Sequence, residues 1–216
     1  MIERRVFLAA GAALAAASPS RVMTAPLPSG IRFEITRNGD HIGQHTIRFR
    51  QEGTALAAEI DVSIAVSLGP IVLYRYALKG REIWRDGAFV SLESETNDDG
   101  TLHRVRAMRL PEHVVVEVSA APAAIFPPGA IPLTHWNSLC MERPLFNPQN
   151  GTAIESNVLT RGEDMVPLAN GGAVLATRYS LIGNVTLDDW YDTTRHWTAL
   201  RAPGRDGSTI EYRRAG

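Results

Sequence analysis

The stretch LAAEIDVSIAVSL, residues 56–68, decides the fold. Leu56, Ala58, Ile60, Val62, Ile64, Val66 and Leu68 share one parity, while Glu59, Asp61, Ser63 and Ser67 occupy the other. Successive side chains of a strand point to opposite faces, so this is a single strand with one buried and one wet face. At roughly 3.3 Å per residue it extends about 40 Å. A strand of that length twists and coils, which favours a curved sheet or a partial barrel over a flat one.

Shorter strands surround it. Ile31, Phe33 and Ile35 alternate with Arg32, Glu34 and Thr36; Asn38-Gly39 signals a hairpin; Ile47 and Phe49 continue the pattern. Gly69-Pro70 ends the long strand, and another runs from Ile71 to Trp84. Asp86-Gly87 and Asp99-Gly100 mark two more hairpins, and Val114, Val116 and Val118 close this half. Residues 120–150 hold six of the 13 prolines, so no central strand runs through them; Leu133–Glu142 has room for a short helix. Strands resume near 152–160, 173–182, 195–201 and 208–213, with Gly171-Gly172 as a hairpin turn. The expected fold is mainly β: one strongly curved antiparallel sheet, a half-barrel or incomplete barrel of about ten strands. One proline-rich segment crosses it, with at most a short helix. Tyr74, Trp84-Arg85-Asp86 and Asp99-Gly100 are echoed by Tyr179, Trp190-Tyr191-Asp192 and Asp206-Gly207. Either two similar hairpin sets build the sheet, or turn-rich β sequence supplies the echo by chance.

The first seventeen residues read as an address. Arg4-Arg5 precede Phe7-Leu8 and an alanine-rich apolar run, Val6–Ala17, of twelve residues. That is the pattern of a cleaved secretory signal, similar to the twin-arginine type, and too short for a membrane span of roughly 20 residues. Residues 18–29 are a flexible leader, and 30–216 one β domain. The expected location is the periplasm or the exterior, with no transmembrane segment in the mature chain.

Lysine and arginine number 22 against 23 acidic residues, a net charge of −1, which gives no basic footprint for nucleic acid. Cys140 is the only cysteine, so no internal disulfide forms. No GxSxG, Walker loop or dinucleotide fingerprint is present, and no cofactor is implied. His41 and His45 share parity and read as exposed strand histidines, two short of a zinc site, and no metal is expected. Asp188, Asp189 and Asp192 around Trp190 read as turn residues. His135-Trp136-Asn137 with Cys140 is the densest chemical group: Trp136 plugs one end of the sheet, and His135 and Asn137 satisfy backbone groups around it.

Gly39-x-x-x-Gly43, Tyr74-Arg75-Tyr76, the Trp84 strand, Asn97-Asp98-Asp99-Gly100, His135-Trp136-Asn137 and Asp189-Trp190-Tyr191-Asp192 follow one another over residues 30–213. In that order they resemble an uncharacterised exported bacterial family known only as a domain of unknown function. The resemblance implies a periplasmic curved sheet, similar to the half-barrel of periplasmic lipoprotein carriers, and brings no catalytic residues.

A curved open sheet has a concave apolar face that the crossing segment must cover. Where it leaves a groove, Phe126, Ile131, Leu133, His135, Trp136 and Asn137 are the expected ligand-binding residues. The expectation is therefore a non-catalytic exported protein binding an apolar or amphipathic, lipid-like ligand or an envelope protein. The alternative is a hydrolase or lyase acting on envelope or polysaccharide substrates, needing two or three of His135, Cys140, Asp98, Asp99, Asp189, Asp192 and His196 in one cleft.

Overall fold

The computed structural model describes residues 30–119 and 121–215; the expected signal segment 1–17 and expected leader 18–29 lie outside them. The first half is a meander: β1 (Gly30–Arg37), β2 (Asp40–Glu52), β3 (Ala55–Leu68), β4 (Ile71–Arg85), β5 (Ala88–Asp98), β6 (Thr101–Arg109), β7 (Val114–Val118) and β8 (Ala121–Phe126). The crossing carries β9 (Ile131–Pro132), a 3-10 turn (Ser138–Met141), β10 (Leu145–Phe146) and β11 (Ala153–Ile154). A second meander follows: β12 (Ser156–Pro167), β13 (Ala173–Gly183), β14 (Leu187–Asp192), β15 (Trp197–Pro203) and β16 (Thr209–Ala215).

Pairing of β16 with β1 joins the two meanders into one antiparallel sheet of 13 strands, with β12 and β8 at its edges. The sheet is antiparallel throughout and not closed into a barrel. Its strand count exceeds the expected ten because the meander runs on to the edge: Pro122 sits in β8, where one side of the ladder needs no partner. The crossing forms its own small sheet of three strands, β11-β10-β9.

The hairpin glycines stand where the sequence put them. Asn38-Gly39, Asp86-Gly87 and Asp99-Gly100 all have positive φ at both residues, as tight hairpin turns between twisted strands require. The long strand is β3, 14 residues paired on both sides over most of its length.

One expectation is corrected and one open alternative is decided. Asp188–Asp192 is not a turn but β14, paired with both β13 and β15, and Asp189 is wholly buried. Turn-favouring aspartates masked a strand whose inward parity is Leu187, Asp189 and Tyr191. The sequence echo is not a structural repeat either: Tyr74 and Trp84 share β4, whereas Tyr179 lies on β13 and Trp190 on β14.

The crossing packs into the concave face. Trp136 meets Phe49 and Trp84 edge-on at 5.0 and 5.5 Å between centroids, and Phe146 meets Phe89 and Phe126 at 5.9 and 5.6 Å. Ser94 Oγ donates to the Pro148 carbonyl at 2.6 Å. At the centre lies Glu82, fully buried on β4, whose Oε2 accepts from the indoles of Trp84 at 2.7 Å and Trp136 at 3.2 Å. One carboxyl thus ties sheet to crossing, while its Oε1 has no partner among the described residues.

Burial, opposed by the indole hydrogen bonds, pushes Glu82 up to about 7. Unfolded, the group loses its proton near its ordinary 4.5; folded, it keeps it to about 7. The folded state therefore binds more protons between these values, and stability falls as pH rises through that window. Glu82→Gln should be more stable than wild type at pH 8 by up to about 3 kcal/mol. The advantage should vanish at pH 4, as urea unfolding at both pH values will measure.

Candidate functional site

The crossing does not fill the whole concave face. At the end of the sheet carrying the β1–β2, β3–β4, β5–β6 and β15–β16 turns, a cavity of about 670 Å³ remains. One wall is the decisive strand itself, Ile60, Val62, Ile64 and Val66 of β3. Tyr74, Tyr76 and Leu78 of β4 and Ile210 and Tyr212 of β16 continue it. Leu133, Thr134 and His135 of the crossing form the opposite side.

A bulge shapes the wall on β2. Ile35 pairs with Gly43 but Thr36 with His41, so Ile42 is an extra residue. Parity switches there: Ile42 lines the cavity, His41 is exposed, and His45 is buried inside. This corrects the expectation of two exposed histidines, and the pair cannot converge on one ion. Among the described residues no group of three or more His, Cys, Asp or Glu is arranged to hold a metal. A Cβ at Gly43 would stand 2.0 Å from the Ser63 carbonyl oxygen, so the approach of β2 to β3 at the bulge demands glycine. Gly43→Ala should cost about 2–4 kcal/mol in chemical unfolding.

The inner end is polar. Burial and then the charge of His135 hold His45 down at about 3, so it is a neutral imidazole at ordinary pH. His45 contacts the rings of Trp197 and Tyr212 edge-on. Its Nε2 has no hydrogen-bond partner among the described residues.

Beside it, His135 stacks on Trp197 with centroids 5.1 Å apart and planes 21° off parallel. Its Nδ1 lies 2.8 Å from Asp189 Oδ2, and Asp189 Oδ1 accepts from Trp197 Nε1 at 3.0 Å. His135 holds a left-handed backbone, φ 66°, fixed by the Tyr191 hydroxyl donating to its carbonyl at 2.7 Å. A strained residue held by a buried network is a preorganised one.

The carboxylate can only accept, so Nδ1 carries a proton and Nε2 is left for the cavity. Because Trp197 Nε1 donates to the other oxygen position, Asn at 189 keeps its carbonyl there and turns its amide donor toward His135 Nδ1. Asp189→Asn should strip the proton from Nδ1 and leave it on Nε2, visible in the ring nitrogen shifts of His135 by NMR.

The rim is charged. Arg37 pairs with Asp206, and Arg205 reaches Asp98 at 3.4 Å. Tyr74 donates to Asp98 at 2.7 Å; burial first, then this bond and the Asp98 charge, push its hydroxyl up to about 12.

Of the residues expected to bind, Leu133 and His135 line the cavity. Phe126, Ile131 and Trp136 are buried in the packed core away from it. Asn137 caps the 3-10 turn, its Oδ1 accepting from the Leu139 amide at 3.1 Å. Of the residues an enzyme would need, His135 meets Asp189 beside the cavity, and Asp192 accepts from the His196 backbone amide at 3.0 Å in a separate place. Cys140 joins the His135–Asp189 pair through Tyr191, whose hydroxyl is 3.2 Å from its Sγ, and burial pushes the thiol up, away from the nucleophilic thiolate. Asp98 stands at the other end of the cavity and Asp99 in the adjoining β5–β6 turn, while Asp192 and His196 flank the β14–β15 turn.

Glu82, Tyr76, Tyr212 and the burial of Asp189 were not read from the sequence. Signals existed for two: Tyr74, Tyr76, Leu78, Glu82 and Trp84 share one parity of β4, which marks both Tyr76 and the carboxyl as inward.

The family model for DUF6134, a domain of unknown function, matches residues 33–215. The chain belongs to that family. No curated protein matches. Among solved structures, this DUF6134 domain is similar to a beta-barrel-like protein of the domain of unknown function DUF1849 from Brucella abortus. The TM-score is 0.59 at 8% identity, over 86% of this chain and 95% of the other. At that identity the likeness concerns the fold alone.

Proposed function

We propose that this DUF6134 domain is an exported protein that holds an amphipathic, lipid-like ligand in the cavity between its curved sheet and its crossing, without converting it. The observation that carries the reading is the cavity itself, about 670 Å³, within the range of roughly 300–1,000 Å³ of small-molecule sites. Its long walls are aliphatic and its inner end offers Thr134 and His135 as convergent polar groups. An acyl chain would replace water along Ile60, Val62, Ile64 and Leu78, worth about 25 cal/mol per Å² removed from solvent. The N-terminal Arg4-Arg5 and alanine-rich run support export.

Lipid extraction and mass spectrometry of the purified protein, with titration of a fluorescent long-chain fatty acid, test the reading. Val62→Trp, which fills the cavity from its β3 wall, should weaken probe binding roughly tenfold or more while the fold is retained. A bare wild-type protein that binds no probe would sink the ligand reading in favour of an envelope partner.

His135, which lines the cavity with the buried Asp189 behind it, favours a second reading, a hydrolase or lyase acting on envelope or polysaccharide substrates. That reading requires turnover of such substrates that His135→Gln abolishes.

A further inference from the structure

We infer that the tip of the β3–β4 hairpin is a docking surface for a lipid bilayer, placed so that the cavity opens onto the membrane it touches. The hairpin outruns the sheet. β3 last pairs with β2 at Ile64, and β4 with β5 at Tyr76, so Val66–Tyr74 has no strand on either flank.

This projecting segment, VSLGPIVLY, has no charged residue in a chain that is 21% charged. Its apolar side chains are exposed: Leu68 by 70%, Ile71 by 62% and Leu73 by 59%. A cluster of bare aliphatic side chains at one projecting point is not ordinary surface.

Three observations name lipid as the occupant. The tip offers only aliphatic groups with Gly69-Pro70 between them, so it has nothing to hydrogen-bond a protein partner with beyond its backbone and Ser67. Immediately behind it stand Tyr74, whose ring reaches the cavity rim, and Arg75, which is exposed and makes no ion pair with the other described residues. An aromatic ring and a cation next to an aliphatic segment match the bilayer headgroup layer. The third is continuity: Val66 and Leu73 at the base of the tip are also cavity walls. An acyl chain passing from bilayer to cavity would follow aliphatic surface throughout. The direction of that traffic rests on the cavity reading above; contact of the tip with lipid does not.

A tryptophan at the tip tests this locally. All four native tryptophans are buried, none more than 9% exposed. In the full chain, Leu68→Trp should gain blue-shifted emission with phosphatidylcholine vesicles and lose it with the brominated lipid, whereas native emission should be spared. Adding Ile71→Asp, a change at an exposed site, should weaken vesicle affinity roughly tenfold or more. Unquenched Trp emission at the tip overturns the inference. So does a tip-dependent dimer in native mass spectrometry that vesicles fail to dissolve, which would make the occupant a second copy. Fatty-acid titration without vesicles is read separately: loss of probe binding with tip quenching intact defeats the cavity reading alone.

Discussion

A sheet of 13 strands that bends without closing leaves a concave apolar surface, and the whole molecule is organised by the need to cover it. Exposed, that face would draw water onto Phe33, Ile47, Ile60, Leu92 and Trp84 at a cost of about 25 cal/mol per Å². The crossing is the cover. It is held by dispersion between interlocked rings and by one buried carboxyl that collects two indole N–H groups, Trp84 from the sheet and Trp136 from the crossing. The arrangement is directional where a purely aliphatic contact would not be, since only one seating of Trp136 reaches Glu82. It also makes the seating dependent on the state of a single titratable group.

Cover and cavity are two ends of one design. Where the crossing lies over β4–β8, rings fill the space. Toward the turns at the β3–β4 end, the crossing reaches only one side of the cavity, through Leu133, Thr134 and His135, and the strands run on beyond it. The cavity is therefore a consequence of strand length: β3 and β4 are 14 and 15 residues, longer than the segment that shields them. The same excess length puts the hairpin tip outside the sheet and gives the bare aliphatic end its reach.

The polar inner end shows how a mostly apolar interior accommodates charge. Asp189 is fully buried, yet both oxygens are engaged, by His135 and by Trp197. His45, a few ångströms off, lies within a cage of Trp197 and Tyr212 as a neutral ring. Two histidines of one type thus take opposite roles because one has a carboxylate behind it and the other has only aromatic faces. Neither role is visible from the residue type.

Period-two alternation from Leu56 to Leu68, the Asn-Gly and Asp-Gly turns, and the prolines between 120 and 150 determined a curved antiparallel sheet crossed by one irregular segment. These are local effects: side-chain parity, positive φ and the missing amide of proline act within a few residues. Tertiary structure decided the rest. A single extra residue at Ile42 turned His45 inward and His41 out, and strand pairing turned an aspartate-rich stretch into β14 with Asp189 in the core. Which part of the crossing fills and which leaves space depended on contacts between residues some fifty positions apart, such as Glu82 with Trp136. Spacing along the chain carries no record of such contacts, because burial and pairing are properties of the assembled sheet.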